Sequence, residues 1–261
     1  MNFDTFGKYR PAGAFEAKSI FEADEWGDRL KAHFLEKMTP EERAPFEKKG
    51  GDWYNWSIRY KNFAEAKFKR EPGLKLNPYT PPLTPIEPHE VPRCFVTEKG
   101  YSNLGRIVSL GGYFSVTAQV KEMIERLEPH VHQFYELPIN IPRGKTYKEN
   151  YFLVVIGTFL NSFIPTQEQH ESTKNDWLGE ISGSYIMYKP QIRSFKLERS
   201  KHEGHHLWRE RLLQSNLVCV SDELYEEISA AGLDIPKHAK MVEVADLTGD
   251  NDDCANMREF G

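Results

Sequence analysis

The sequence predicts an α+β protein, with a helical, aromatic-rich N-terminal part followed by a mixed sheet with flanking helices. Apolar residues near the N-terminus recur at the spacing of a helix. Seven of the sixteen prolines then fall within residues 72–92. After them, short apolar runs alternate with two amphipathic segments, which is typical of strands separated by helices.

Two helices are predicted in the N-terminal part. Four apolar residues follow one another at intervals of four, which places them on one helix face. They are Trp26, Leu30, Phe34 and Met38. A second helix is expected to begin at Pro40, because Thr39 and Glu42 have the spacing of a capping box and proline is tolerated at the first helical position.

The proline-rich stretch is the predicted domain boundary. Proline fixes φ and has no N–H donor, so residues 72–92 are expected to be an extended connector without helix or central strand. The predicted organisation is a helical region at 1–71, the connector at 72–92, an α+β domain at 93–246 and an acidic tail at 247–261.

Two helices and several strands are predicted after the connector. Ser115 is expected to cap a helix that ends before Pro129, and Ser221 a helix that ends at Gly232. The first helix would bury an apolar face made of Val116, Val120, Met123, Ile124 and Leu127. Strands are predicted at 93–97, 131–137, 151–159, 185–188, 194–197, 217–220 and 241–244. The strand at 151–159 is apolar on both faces, so a central position is expected.

Composition excludes several classes of function. The formal net charge is −5 with both signs interspersed, which argues against a nucleic-acid partner. No apolar run is long enough for a membrane span, and the N-terminus lacks the features of a signal peptide. The three cysteines have no metal-binding or redox spacing. We therefore expect a cytoplasmic protein with no membrane association and no cofactor.

One segment formally matches the zinc-protease pattern HExxH. Residues 202–206 read His-Glu-Gly-His-His, which on a helix would place two imidazoles one turn apart, with Glu203 as the general base. Gly204 disfavours a helix at the centre of the pattern, and no third ligand follows at the usual spacing. A polar turn that carries histidines is preferred, and no metal is predicted.

His130 and His132 flank a single residue and would lie on one face of the strand predicted to begin at residue 131. Two imidazoles at this spacing can bind a metal, but no third ligand is near. Partly buried structural histidines are therefore preferred. The sequence also contains no nucleophile elbow and no phosphate-binding glycine loop, so no catalytic residue is predicted.

An aromatic run at residues 53–60 is the one candidate for partner binding. Trp53, Tyr54 and Trp56 follow a glycine pair, and aromatic side chains supply much of the anchoring energy at protein interfaces. The alternative is that they form a small N-terminal core, which dense aromatics more often do.

The C-terminal part resembles a bacterial family of immunity proteins from polymorphic toxin systems. The resemblance lies in the order of three segments: 204–209 (GHHLWR), 217–224 (LVCVSDEL) and 230–233 (AAGL). Upstream, residues 132–135 and 151–155 stand where that family has a strand pair. The similarity covers residues 95–245, and residues 234–238 depart from the short turn of the family.

This resemblance implies neutralisation of a cognate toxin by direct binding, without enzymatic residues. It also implies that His206, Trp208 and Arg209 belong to a structural turn, in which Trp208 buries its ring. The competing hypothesis is a zinc-dependent hydrolase that uses His202, Glu203 and His206.

Overall fold

The computed structural model describes residues 2–3, 24–47, 85–97, 103–110, 113–164, 196–210, 218–233, 239–240 and 245–247. Helices and several mixed sheets are both present, so the predicted α+β class is confirmed. The predicted strands at 185–188 and 241–244 lie outside the described residues. The predicted division into domains stays a prediction.

The N-terminal helices form at the predicted positions, but Met38 of the predicted apolar face lies after the last helical turn in an extended conformation. Helix α1 (Asp24–Ala32) continues into a π-helical turn at His33–Lys37, and Trp26, Leu30 and Phe34 are all buried. Helix α2 (Pro40–Glu47) begins at the expected capping box. The Thr39 N–H donates to Glu42 Oε2 over 2.7 Å, and the Glu42 N–H donates to Thr39 Oγ1 over 3.3 Å.

Residues 85–92 differ from the extended connector that the prolines predict. Pro88–Glu90 forms one turn of 3₁₀ helix, with Pro88 in the first turn, where its missing N–H costs nothing. Ile86 and Val91 are buried against Leu153 and Val155 of the main sheet. The prediction that this stretch contains no helix was wrong, because a single turn needs too few hydrogen bonds for proline to prevent it.

A four-stranded antiparallel sheet forms the centre of the described structure. Its spatial order is β3 (Ile107–Leu110), β4 (Tyr113–Thr117), β8 (Tyr151–Val155) and β5 (Gln133–Leu137). Strand β8 is central, as predicted, but it ends at Val155 instead of continuing to Phe159. The family strand pair predicted at 132–135 and 151–155 is the antiparallel pair β5–β8.

The alternation of side chains along β8 explains why this strand is apolar throughout. Val154 faces a core formed with helices α3 (Ala118–Leu127) and α5 (Asp222–Ala230). Leu153 and Val155 face the opposite side, where Ile86 and Val91 cover them. Burying each such side chain contributes about 1.5–3 kcal/mol, so both faces of the sheet stabilise the fold.

Four smaller sheets contain the remaining strands. They are β2 (Phe95–Val96) with β6 (Ile139–Ile141) and β7 (Lys145–Thr146); β9 (Phe159–Leu160) with β12 (Leu207–Glu210) and β13 (Cys219–Val220); β10 (Phe163–Ile164) with β11 (Lys196–Glu198) and β15 (Ala245–Leu247); and β1 (Asn2–Phe3) with β14 (Ala239–Lys240). The pairs β2–β6, β9–β12 and β11–β15 are parallel, and the other pairs are antiparallel.

Ser115 does not cap a helix. It is fully buried within β4 and lies opposite Leu153 of β8, while helix α3 begins at Ala118 after an extended Thr117. The pairing of β4 with two neighbouring strands outweighs the local capping preference of a serine. Val116 is consequently a strand residue, whereas the apolar face of α3 and its end before Pro129 are confirmed.

Helix α5 begins and ends at the predicted residues. Ser221 Oγ accepts a hydrogen bond from the Leu224 N–H over 3.2 Å, and Asp222 and Glu223 lie in the first turn. Gly232 follows the helix with a φ of 62°, the left-handed conformation in which glycine costs least.

Gly157 is required where the chain leaves β8. A Cβ atom at this position would lie 1.7 Å from the carbonyl oxygen of Val131, which is a backbone atom and cannot move aside alone. The Gly157 N–H also donates to His132 Nδ1 over 2.9 Å.

We expect Gly157→Ala to lower the free energy of unfolding by at least about 3 kcal/mol, because the backbone on one side of the contact must shift. Chemical denaturation monitored by circular dichroism measures this loss. Gly27→Ala is the matched control, since an added Cβ in α1 meets no atom within 4 Å. That substitution should raise the stability by about 0.5–1 kcal/mol through helix propensity. Equal denaturation midpoints for Gly157→Ala and the wild type would contradict the assignment.

Candidate functional site

The HExxH-like segment is a helix end and a turn. Helix α4 (Arg199–His202) stops before Glu203, and Gly204 has a φ of 82°. The two histidines of the pattern, His202 and His206, therefore do not lie one turn apart on a helix. The predicted polar turn is confirmed for residues 203–206.

The three histidines of this segment contact three different partners. The ring of His202 stacks on Trp208, with ring centres 5.1 Å apart and planes inclined by 9°. His205 Nδ1 lies 3.4 Å from a carboxylate oxygen of Glu128. His206 Nδ1 lies 2.9 Å from Ser221 Oγ, the hydroxyl that caps helix α5. Side chains engaged in this way do not converge on one metal ion.

Within the described ranges, no group of three or more His, Cys, Asp or Glu side chains is arranged to hold a metal ion. His130 and His132 also fail to share a strand face, since β5 begins only at Gln133. His130 is exposed in a turn with a φ of 61°, whereas His132 is buried just before the strand. The prediction of a common face was wrong because the turn after α3 occupies both positions.

Glu128 is the first of two buried carboxylates that organise this region. One of its oxygens, Oε2, accepts from His132 Nε2 over 2.9 Å and from the Leu207 N–H over 2.8 Å. Because the Gly157 N–H donates to His132 Nδ1, that nitrogen must accept, and the ring proton is on Nε2. The tautomer of His132 is thus fixed as the donor that Glu128 needs.

The ionised form of Glu128 is favoured in spite of burial. Burial raises the pKa of this carboxyl. The hydrogen bond from His132, the electrostatic effect of the same ring and the backbone hydrogen bonds of Leu207 and His206 outweigh burial, so the pKa lies below its ordinary value. The carboxylate links the end of α3, the approach to β5 and the first residue of β12.

Glu210 is the second buried carboxylate. Its Oε2 accepts from the backbone N–H groups of Ser162 and Phe163 over 2.8 and 3.0 Å. Its Oε1 accepts from the Ser162 hydroxyl and, over 2.9 Å, from Trp208 Nε1. Burial raises the pKa of Glu210 even though these four donors favour the ionised form. Glu210 therefore ties β12 to the turn between β9 and β10.

Strand β12 is the element that both carboxylates hold. Trp208 and Arg209 were expected in a structural turn, but they lie in this strand, which pairs with β13 on one side and β9 on the other, and all four of its residues are buried. The prediction that Trp208 buries its ring is confirmed. Sequence analysis missed Glu128 and Glu210, because nothing local distinguishes them from the other acidic residues of the chain.

One protein family matches most of the chain, including both of these carboxylates. The model of the Immunity protein family (Imm11) matches residues 55–243, more than two thirds of the chain. The chain belongs to this family. The predicted resemblance to immunity proteins of polymorphic toxin systems is thereby confirmed at the level of the family. Among curated proteins, no sequence matches the chain.

The immunity family match extends further than the resemblance predicted from the C-terminal segments. It begins at residue 55 instead of residue 95, so it includes residues 85–92 as well as the main sheet and both buried carboxylates. Residues 55–94 therefore belong to the matched region although the resemblance did not include them, and residues 1–54 lie outside the match. Helices α1 and α2 lie before the match. Trp53, Tyr54 and Trp56 lie outside the described residues, and only Trp56 falls within the match.

None of the helices in the described part of this immunity-family chain is long and apolar enough to cross a membrane.

Substitution of Glu128 should distinguish its hydrogen bonds from its charge. Glu128→Ala leaves the Leu207 N–H and His132 Nε2 buried without their acceptor, which should cost about 3 kcal/mol or more. Glu128→Gln keeps one acceptor oxygen and should cost about 1 kcal/mol. Because the folded pKa lies below the ordinary value of 4.5, the stabilisation is present above that value. It is lost as the pH falls through the folded pKa.

The difference in stability between the wild type and Glu128→Gln should therefore shrink on acidification. Urea denaturation at several pH values measures it. Glu122→Ala, exposed on the same helix, is the matched control and should change the stability by less than about 0.5 kcal/mol. If Glu128→Ala were as mild as this control, the buried carboxylate would not have the structural role assigned to it.

Proposed function

We propose that this protein binds a cognate bacterial toxin and neutralises it by direct protein–protein interaction. The observation that carries the proposal is the match of the immunity family over residues 55–243. Membership of an immunity family implies a toxin as the partner. The cytoplasmic location predicted from the sequence is part of the proposal.

The geometry of the histidine segment argues against the zinc-dependent hydrolase. His202, His205 and His206 each engage a separate partner, and Glu203 lies exposed beyond the end of a short helix. A zinc-dependent hydrolase would need these groups to converge. No observation favours that alternative.

The aromatic run provides a candidate for the binding surface. We propose that Trp53, Tyr54 and Trp56 contribute anchors to the toxin interface, since tryptophan and tyrosine are enriched among residues that dominate binding energy. This part of the proposal rests on the sequence alone.

Co-expression with toxins encoded beside this gene tests the function. Cells that produce the cognate toxin should survive when this protein is present, because the complex removes the toxin from its target. The two purified proteins should also elute together on gel filtration. If none of the neighbouring toxins were neutralised and none formed a complex, the proposal would be wrong.

Affinity measurements on variants of this protein test the proposed aromatic anchors separately from the proposed function. Trp53→Ala combined with Trp56→Ala should weaken the complex by at least about 2 kcal/mol, roughly a thirtyfold loss of affinity, with an unchanged circular dichroism spectrum. Tyr225→Ala, at an exposed aromatic on helix α5, is the control and should bind normally. Unchanged affinity in the double variant would reject these anchors without affecting the proposed function.

A further inference from the structure

Hydrogen bonds and a ring stack attach helix α1 and the π-helical turn after it to the immunity-family region. Trp26 Nε1 donates to the Glu90 carbonyl oxygen over 3.1 Å. The guanidinium of Arg29 donates to the Val91 carbonyl over 3.0 Å and to the His89 carbonyl over 3.5 Å. The rings of His33 and His89 stack with centres 3.8 Å apart. These contacts connect a helix that precedes the family match with a segment inside it.

Residues 85–92 are in turn attached to the main sheet. Both backbone polar groups of Ile86 bond to Gln133 of β5: its N–H donates to Gln133 Oε1 over 2.8 Å, and its carbonyl accepts from Gln133 Nε2 over 3.0 Å. The Tyr135 hydroxyl donates to the same carbonyl. The segment therefore lies between α1 and β5, and it covers one face of the sheet.

Glu90 lies within residues 85–92, the layer between helix α1 and the main sheet, and only 4% of its surface is exposed. Its Oε2 accepts from the Glu87 N–H over 2.8 Å, which closes the turn of 3₁₀ helix. Burial raises the pKa of Glu90 from 4.5 to about 7, against the lowering effect of this hydrogen bond. The ionised side chain is thus disfavoured in the closed layer and favoured once water reaches it.

Among the described residues, each element that meets at this contact carries titratable or charged groups. Arg29 and His33 belong to the α1 side, and Glu87 and His89 belong to the segment itself. From β5, Tyr135 faces the layer; burial raises the pKa of its hydroxyl, and the charge of Glu90 raises it further. Burial also lowers the pKa of His33, so this ring is neutral at neutral and higher pH.

We propose that the contact between helix α1 and residues 85–92 is a proton-dependent latch, closed while the Glu90 carboxyl is protonated and loosened when it ionises. Opening would hydrate the carboxylate and release the Trp26 and Arg29 hydrogen bonds. It would also uncover the surface of residues 85–92 that helix α1 covers.

The direction of the effect follows from proton binding. Glu90 has the higher pKa in the closed state, so this state binds more protons than the open one. The free-energy preference for the closed state is therefore complete below the ordinary value of 4.5 and decreases as the pH rises through about 7. Between about pH 6.5 and about pH 8.5, these two pKa values give an increase of about fourfold in the opening equilibrium constant. His33 acts in the opposite sense, because burial lowers its pKa in the closed state: it favours opening as the pH falls towards its ordinary value of 6.5, so fourfold is the effect of Glu90 alone.

Hydrogen exchange measured by mass spectrometry on the full chain tests the latch. Peptides that cover residues 24–37 and 86–92 should show an opening constant about fourfold larger at the higher pH, after correction for intrinsic exchange. Peptides from β4 and β8 provide the internal reference. Equal opening constants at the two pH values in the wild type would overturn the proposal.

Two variants and a control assign the effect to Glu90. Glu90→Gln retains an acceptor for the Glu87 N–H but cannot ionise, so its opening constant should not increase with pH. Trp26→Phe removes one hydrogen bond and should raise opening at both pH values while keeping the fourfold ratio. Glu87→Gln, with an exposed side chain in the same segment, should also keep that ratio. A fourfold change that persists in Glu90→Gln would overturn the proposal.

Discussion

Burial of an ionised carboxylate constrains the junction between the main sheet and the C-terminal elements. A charge in an apolar interior must be surrounded by hydrogen-bond donors, and Glu128 obtains them from His132 and from the Leu207 N–H. The Gly157 N–H donates to the other nitrogen of His132 and so favours the tautomer that carries its proton on Nε2. Gly157 must be glycine, because the Val131 carbonyl lies where its Cβ would be. The end of α3, the approach to β5, the exit from β8 and the start of β12 are therefore fixed by one set of contacts.

The sequence predicts best those features that depend on neighbouring residues. The capping box at Thr39, the cap at Ser221 and the glycine after α5 were all predicted, because each needs only a few residues of chain. Ser115 has the same local signal, but pairing of β4 with β8 overrides it. Glu128 could not be identified, since the Leu207 N–H that it binds lies 79 residues away in the chain. Only the folded structure shows which carboxylates are buried.

The histidine segment shows why a catalytic pattern requires its structural context. Three of its residues match a zinc-protease motif, but Gly204 ends the helix that the motif needs. The imidazoles instead support Trp208, Glu128 and the cap of α5, so they contribute to the stability of the family region. The family match over residues 55–243 is more informative than the motif, because it extends over most of the chain. The aromatic run at 53–56 stays a prediction.

A titration of toxin activity tests most directly whether this protein acts by binding. A binder removes activity in proportion to the amount added, so the activity of the purified cognate toxin should fall linearly and reach its minimum at one molar equivalent. The result should be unchanged after treatment with a chelator. Inactivation of the toxin by far less than one equivalent, increasing with time, would show turnover and would contradict the account.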